Sequence, residues 1–226
     1  MLFVKRQGVD LMCGRYTFVE TGKLWERFGV EGAQLVPRYN VAPTQEMPVI
    51  TGSEKRRLIQ MRWGLVPHWA KEISIGSRMI NARGETVEEK PSFRSSFRHK
   101  RCLVPADGFF EWQRQNGLKV PYRFTLANGG LFAMAGLWDR WISPNGDEIQ
   151  TFTIITTTAN ELVGTVHDRM PVILSRENEQ LWLEGKDAKH LKQLLVPYPA
   201  EQMSCYQVSQ LCNSAKNDLP ECILPA

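Results

Sequence analysis

The chain has 226 residues, of which 42% are hydrophobic and 23% are charged, and its formal net charge is +4 at pH 7. This is the composition of a globular protein with one sizeable core, and no apolar run reaches the roughly 20 residues of a membrane span. Residues 1–11 lack the apolar stretch of a secretion signal. The five cysteines include no C-x-x-C pair. Together these features favour a reduced, cytoplasmic protein without a metal site.

The first predicted element is a short amphipathic helix over 21–28, which places Leu24, Trp25 and Phe28 inward and ends at Gly29. The centre of the chain is rich in β-branched and aromatic residues and contains Asn-Gly turns, which are typical of β-hairpins. These turns separate four predicted β-rich runs, near 103–114, 119–127, 131–142 and 148–157.

Two further helices are predicted towards the end of the chain. Ser175 caps the first, which ends at Gly185, and the second ends before Pro197. Strands followed by helices indicate an α+β protein. We therefore predict a single α+β domain over 13–226, with a curled, barrel-like antiparallel β core decorated by short helices.

Cys13 directly follows Met12, and cysteine is small enough to allow removal of an initiator methionine. A chain that begins at Cys13 carries a 1,2-aminothiol, in which a nucleophilic sulfur lies beside an α-amine of pKa roughly 7.7–8.0. Such a group condenses with an aldehyde to a thiazolidine ring, which an internal cysteine cannot form. We predict that residues 1–12 are an N-terminal extension absent from the active form. The alternative is a small, buried, unreactive cysteine.

Four other strings combine polar residues with apolar neighbours, as loops that bind ligands often do. A carboxylate among aromatic residues loses solvation, which raises its pKa and suits it to proton transfer near neutral pH. An arginine can donate a fork of hydrogen bonds to a phosphate. Each string also has a plain structural explanation, such as a surface ion pair or a histidine that supports a turn. The strings occupy 38–43, 79–86, 106–112 and 166–171, with Asn40, Asn81, Arg83, Glu111 and His167 as their candidate residues.

Positive charge is concentrated in residues 54–101, which contain 12 lysines and arginines against 5 acidic residues. The rest of the chain is mildly acidic. One basic segment on such a body is what a nucleic-acid backbone requires of its partner, although a solvated basic face is an equal alternative. The tryptophans between residues 63 and 69 are core residues or base-stacking platforms.

These strings, in this order, resemble the SOS-response-associated peptidase family, the abasic-site processing proteins of bacteria and eukaryotes. The resemblance runs from Cys13 to about Pro225. It departs from the family in residues 1–11, which precede the cysteine, and at Cys212, where valine is expected. The matching strings are CGRY at 13–16, YNVAP at 39–43, WGLVP at 63–67, INAR at 80–83, 102–112, VHDRMP at 166–171 and ND at 217–218.

The resemblance implies a monomer that binds single-stranded DNA and crosslinks to abasic sites in the SOS response, in the cytoplasm or on the nucleoid. The implied activity requires no metal and no organic cofactor. The resemblance also implies a peptidase activity that exposes Cys13. The implied catalytic residues are Cys13 as nucleophile, Glu111 as general acid and base, His167 as the group that opens the sugar, and Asn81 as an orienting group. The implied DNA-binding residues are Arg15, Asn40, Pro43, Trp69 and Arg83.

Two other classes of function stay open from the residues themselves. An amide hydrolase with an N-terminal nucleophile or a Cys-His pair would use the same side chains but turn over peptide or amide substrates. A single-strand-binding module would depend on the basic segment and would not need Cys13. A one-to-one protein–DNA adduct that requires Cys13 separates the family activity from both.

Overall fold

The structure is a computed structural model and describes residues 13–30, 35–52 and 55–226. The four α-helices of the described residues are α1 (Leu24–Phe28), α2 (Arg94–His99), α3 (Arg176–Glu184) and α4 (Ala188–Gln193). The strands are β1 (Tyr16–Phe18), β2 (Arg38–Val41), β3 (Glu46–Thr51), β4 (Arg57–Trp63), β5 (Asn81–Arg83), β6 (Arg101–Ala106), β7 (Gly108–Gln115), β8 (Leu118–Leu126), β9 (Phe132–Ile142), β10 (Glu148–Thr158), β11 (Arg169–Pro171), β12 (Ile173–Leu174) and β13 (Met203–Gln207).

Five strands close into a barrel in the order β4-β3-β6-β9-β10, because β10 pairs with both β9 and β4. β11 and β5 add to β10, and β12 adds to β9. The predicted α+β class with a barrel-like core is confirmed. The pairing differs in one detail, since β4 and β5 both run parallel to β10 while the other pairings of this sheet are antiparallel.

A second sheet has the order β13-β8-β7-β1-β2 and packs against the barrel through aromatic side chains. The rings of Tyr16 and Trp63 lie 5.2 Å apart edge to face, and Trp63 stacks on Phe152 at 6.3 Å. Phe109 and Phe124 stack at 5.1 Å on neighbouring strands of the second sheet. Rings of this size bury large apolar areas, and the contact between Tyr16 of β1 and Trp63 of β4 packs the second sheet against the barrel.

The predicted run near 103–114 is two strands, because the chain turns at Asp107. Its carboxylate accepts hydrogen bonds from Thr17 Oγ1 at 2.5 Å and from the backbone N–H of Glu20 at 2.9 Å, and Arg123 donates to it at 2.9 Å. Gly108 follows, where a Cβ would lie 2.7 Å from Arg123 Nε. The turn therefore depends on partners distant in sequence.

The first predicted helix is a 3₁₀ turn at Thr21–Lys23 followed by α1, which has only five residues. Leu24 and Phe28, four residues apart, face the core and are buried. The inward placement of Trp25 is wrong, since its side chain is 62% exposed. One turn of helix presents a single narrow face, and position 25 lies off it.

The other helices lie on the outside of the barrel. α3 follows Ser175 as predicted and ends at Gly185, although the Ser175 side chain makes no capping hydrogen bond. Trp182 anchors α3 to the barrel because its indole N–H donates to the carbonyl of Cys102 at 3.0 Å. Within 13–30, 35–52 and 55–226, no helix has the length and apolar character to cross a membrane.

Candidate active site

A cavity of about 510 Å³ lies where β1 begins and β7 continues past it. β1 pairs with β7 at Tyr16 and Thr17, and the carbonyl of Arg15 accepts from the N–H of Phe110 at 3.0 Å. The chain before Tyr16 therefore runs beside Phe110 and Glu111, and its residues Gly14 and Arg15 line the cavity. The walls come from Gly14, Arg15, Ala42, Pro43, Glu111, Trp112, Arg114, Lys119, His167, Asn213 and Ala215.

Cys13 lies behind this cavity wall, in contact with Glu111, and is 3% exposed. Its backbone nitrogen donates to Glu111 Oε1 at 2.9 Å, and its thiol contacts the carbonyl oxygen of Arg169 at 4.0 Å. In a chain that carries residues 1–12 this nitrogen is a peptide amide, and it occupies the place that the α-amine would take in a chain beginning at Cys13. Burial, and then the negative charge of Glu111, raise the pKa of the thiol well above its usual value.

The backbone of Cys13 has a φ of 42°, in the left-handed region that residues other than glycine seldom adopt. Such a conformation costs of the order of 1 kcal/mol or more, and it persists where surrounding contacts impose it. The φ torsion is defined by the preceding peptide bond. The strain therefore exists only while a residue precedes Cys13.

Glu111 projects from β7 and is 2% exposed. Burial raises its pKa to about 7, a rise that the charge of His167 and the hydrogen bond from Cys13 partly oppose. A carboxyl group with a pKa near neutrality holds and releases a proton with comparable ease, which is what a general acid and base requires. Removal of residues 1–12 would place an ammonium group beside Glu111 and lower that pKa.

His167 also lines the cavity, just before β11. Its Nδ1 accepts a hydrogen bond from the backbone N–H of Arg169 at 3.1 Å. The neutral ring therefore carries its proton on Nε2, the other ring nitrogen. The carboxylate of Asp168 lies 3.2 Å from Nδ1 and would pair with the ring once it is protonated. His167 thus has a fixed tautomer, with Nε2–H as a hydrogen-bond donor.

Arg15 reaches the cavity from beside β2 and is held by Asn40. Asn40 is fully buried, and its Oδ1 accepts from Arg15 at 2.9 Å. Its Nδ2 donates to the carbonyls of Cys212, Ser214 and Asn217 at 3.1, 3.0 and 2.7 Å. Asn40 therefore joins β2 to the C-terminal segment, and in this structure it would act on DNA only through Arg15.

Asn40→Ala should destabilise the protein by about 2–3 kcal/mol, because three carbonyls and the Arg15 guanidinium lose a buried partner. Urea unfolding of the variant and wild type measures this change. Asn145→Ala, in an exposed turn, is the matched control and should change stability by less than about 0.5 kcal/mol. Equal stability of the Asn40→Ala variant and wild type would show that the network is not structural.

Asn81 and Arg83 lie on β5, next to β10 and outside the cavity wall as defined above. The Nδ2 of Asn81 is buried and has no hydrogen-bond partner among the described residues. A buried donor without an acceptor destabilises the folded protein unless a ligand accepts its hydrogen bond. Arg83 is exposed, and Trp69 is 53% exposed, also outside the wall. Pro43 is part of the wall.

The structure thus brings Glu111, His167, Arg15 and Pro43 together at one cavity, with Cys13 in contact with Glu111. Their roles, and those of the four remaining predicted site residues, stay predictions.

The basic segment 54–101 is not a continuous free surface. Arg101 is 8% exposed and donates to backbone carbonyls that include that of Phe97 at 2.7 Å. Arg56 pairs with Glu179 at 3.3 Å, and Lys100 pairs with Asp139 at 2.5 Å. Part of the positive charge of this segment is therefore engaged in ion pairs and hydrogen bonds within the protein.

Among the polar and aromatic residues of the wall, sequence reasoning missed Trp112, Arg114, Lys119 and Asn213. Asn213 comes from the C-terminal segment, which no local pattern connects to the cavity. Arg114 and Lys119 flank the predicted Asn116–Gly117 turn, so a hairpin register drawn from that turn would have found them on one face.

Comparison with known proteins identifies relatives across most of the chain. A family model, the SOS response associated peptidase (SRAP), matches residues 12–215. The abasic site processing protein YoqW of Bacillus subtilis (strain 168) is 49% identical over 221 residues, which cover 94% of this chain and 99% of that protein. The abasic site processing protein HMCES of Xenopus tropicalis is 35% identical over 219 residues, which cover 83% of this chain and 65% of that protein.

The fold has a close counterpart among solved structures. A crystal structure of a protein from Bacteroides thetaiotaomicron superposes with a TM-score of 0.86 at 32% identity, and the match covers 95% of this chain and 100% of that one. The family match includes every residue that lines the cavity. Sequence and fold agree, and the chain belongs to the SOS-response-associated peptidase family.

Proposed function

We propose that this protein binds single-stranded DNA at abasic sites and forms a thiazolidine crosslink through the amine and thiol of Cys13. The observation that carries the proposal is the 2.9 Å contact between Cys13 N and Glu111 Oε1, at a cavity that His167 also lines. A ring-opened abasic sugar carries an aldehyde, the partner that an aminothiol needs. The relatives named abasic site processing proteins point to the same substrate.

The reaction begins with opening of the abasic sugar. His167 Nε2–H donates a hydrogen bond to the ring oxygen, and Glu111 moves the proton of the C1′ hydroxyl to that oxygen, which leaves an aldehyde. The Cys13 amine adds to C1′, and Glu111 carries protons from its nitrogen to the departing hydroxyl, so water leaves and an imine forms. The thiol then adds to the imine carbon, and its proton passes to the nitrogen. One C–N and one C–S bond form for each water lost.

The thiol pKa supports this order of events. A buried thiol whose pKa is raised by desolvation and by Glu111 stays protonated at neutral pH. A hydrolase of the Cys-His type needs the opposite, a thiol whose pKa is lowered beside a cationic histidine. The amine is therefore the better first nucleophile in this site.

Charge around the cavity suits a polyanion. Arg15, Arg114 and Lys119 line it, and Glu111 is the only carboxyl group among the lining residues that the structure describes. Phosphate contacts supply most of the affinity for a nucleic-acid strand. We assign Arg15 and Arg83 to phosphates. We assign Pro43, in the cavity wall, and Trp69, outside the wall, to support of the distorted DNA strand.

We propose that residues 1–12 are removed before the protein acts. A peptide amide cannot form an imine, and the strained φ of Cys13 is relieved once the preceding bond is cut. The family name implies a peptidase, and Glu111 is placed to protonate the departing nitrogen of Cys13 when water hydrolyses that bond. The active form is then a cytoplasmic monomer that joins the nucleoid when it meets damaged single strands in the SOS response.

A single assay tests this function. An oligonucleotide with one abasic site should give a one-to-one adduct that survives a denaturing gel with protein beginning at Cys13. Protein shown by intact mass to retain residues 1–12 should give no such adduct. The matched control carries a tetrahydrofuran residue, which has no aldehyde, and should bind without crosslinking. Adduct formation at the same rate by the chain that retains residues 1–12 would overturn the proposal.

A further inference from the structure

Arg169, the first residue of β11, contacts two of the proposed reacting groups through its backbone. Its N–H donates to His167 Nδ1 at 3.1 Å, and its carbonyl oxygen lies 4.0 Å from Cys13 Sγ. Its side chain is buried, and the proposed chemistry gives that side chain no role. A displacement of Arg169 would therefore disturb the placement of both the thiol and the imidazole ring.

β10 lies between β11 and β5 at this point of the fold. Thr156 of β10 pairs with Pro171 of β11 and with Arg83 of β5, so the two strands flank it. β5 has only three residues, and among the described strands it pairs with β10 alone. Asn81, to which the family resemblance assigns the orienting role, is the first residue of β5. Its place relative to the groups beside β11 therefore depends on how β5 is held across β10.

The Arg169 side chain crosses β10 and joins the two flanking strands. It donates to both carboxylate oxygens of Glu85, from Nη1 to Oε1 at 2.5 Å and from Nη2 to Oε2 at 2.9 Å. Nη2 also donates to the carbonyl of Thr156 at 2.8 Å, and the same carbonyl accepts from the N–H of Gly84 at 2.8 Å. Glu85 lies two residues beyond the end of β5. These contacts connect β11 over β10 to β5, and we call them the Glu85 strap.

The two hydrogen bonds between Arg169 and Glu85 are charge-assisted. A guanidinium and a carboxylate joined by two parallel bonds interact more strongly, and with a stricter geometry, than neutral groups do. The bonds from Arg169 lower the pKa of Glu85, so the carboxylate stays charged at neutral pH. The Arg169 side chain is 9% exposed and that of Glu85 is 47% exposed. Loss of the carboxylate would therefore leave a buried guanidinium partly unpaired and would release the end of β5.

We propose that Glu85 is a positioning residue for the crosslinking reaction. It holds Asn81 on β5 in place relative to the reacting groups that contact Arg169. The inference rests on the proposed function, because it assumes that the abasic sugar is bound among these groups. A reaction in which several groups meet at one carbon is sensitive to displacements of about 1 Å. Glu85 therefore acts on the rate of crosslinking without contacting the sugar.

Crosslinking rates at saturating DNA test this role, with protein that begins at Cys13. Glu85→Gln should slow the maximal rate about tenfold, while its binding to a strand with a tetrahydrofuran residue should be no weaker than that of wild type. Glu88→Gln is the matched control, since Glu88 lies three residues further along the chain and its pair with Lys192 is longer, at 3.9 Å. The control should leave both quantities unchanged.

A double-mutant cycle with Asn81 separates positioning from a general loss of structure. Because the strap acts through Asn81, Glu85→Gln should slow the Asn81→Ala variant by less than about twofold. A tenfold loss in both backgrounds, or an unchanged rate for either single variant, would overturn the inference. If a thermal melt shows that Glu85→Gln does not fold, Glu85→Asp replaces it. That variant keeps the charge but shortens the reach, and it should show the same pattern with a loss of about threefold.

Amide hydrogen exchange measures the strap without DNA. The amide of Gly84 should exchange about five times faster in Glu85→Gln than in wild type or Glu88→Gln, because Arg169 no longer ties the end of β5 to β10 and β11. Equal exchange in the three proteins would contradict the strap. If wild type forms no adduct at all, the crosslinking function fails instead, and the exchange rates still show whether Glu85 holds β5.

Discussion

Cys13→Ser should abolish the adduct that survives denaturation while leaving DNA binding intact. The variant keeps an α-amine at the same place, so it can still form an imine with the abasic aldehyde. It lacks the sulfur that closes a stable thiazolidine, and the imine hydrolyses when the protein is denatured. We expect less than about one hundredth of the wild-type adduct on a denaturing gel, in line with the loss of a nucleophile from a group that acts as a unit.

Two measurements separate this result from a folding defect. Adding borohydride should trap the imine of the Cys13→Ser variant and restore a covalent product. Cys205→Ser, which removes a half-buried cysteine from β13, should crosslink like wild type. If Cys13→Ser gave as much resistant adduct as wild type without reductant, the thiazolidine mechanism would be wrong.

Glu111→Gln should slow adduct formation by roughly a hundredfold or more, the usual loss when a general acid and base is removed. Glutamine has the same shape and its carbonyl oxygen can still accept from Cys13 N, but it cannot exchange protons. Gel shifts should therefore show nearly unchanged binding, while denaturing gels show slow crosslinking. Glu148→Gln, at an exposed ion pair with Arg140, is the control and should leave the rate unchanged.

Glu111→Gln should also change how the free energy of unfolding depends on pH, measured on chains that retain residues 1–12. The folded-state pKa of Glu111, about 7, lies above the ordinary value of 4.5. The contribution of Glu111 to the stability of the fold is therefore fully present below about pH 4.5 and is lost as the pH rises through 7. Wild type should lose about 3 kcal/mol relative to Glu111→Gln between these limits, because one pKa unit corresponds to about 1.4 kcal/mol. A pH-independent difference would contradict the buried carboxyl.

The fold was predictable where local signals decide it. Asn-Gly turns and β-rich runs predicted β8, β9 and β10 to within one or two residues of their bounds. Asp107 shows the limit, since the break between β6 and β7 depends on hydrogen bonds from Thr17 and Arg123, both distant in sequence. Trp25 shows another, because a five-residue helix is too short for periodicity to define its buried face.

The candidate site was predictable where the chemistry resides in a short string. Cys13, Glu111 and His167 each stand in a motif whose residue types suggest a role, and the structure places Glu111 and His167 at one cavity with Cys13 in contact with Glu111. Asn213 was not predictable, because its place depends on how the C-terminal segment folds back onto the hairpin. Asn40 is fully buried and holds Arg15, and its contact with DNA stays a prediction.

The C-terminal wall of the cavity is held through main-chain atoms. Asn40 contacts carbonyl oxygens at positions 212, 214 and 217, which every amino acid supplies. The side chains of this wall can therefore diverge between relatives without moving it, and Cys212 in place of the expected valine keeps the same carbonyl. Substitutions at Asn213 and Ala215, natural or engineered, could therefore change which DNA strands the cavity admits while the reacting groups stay where they are.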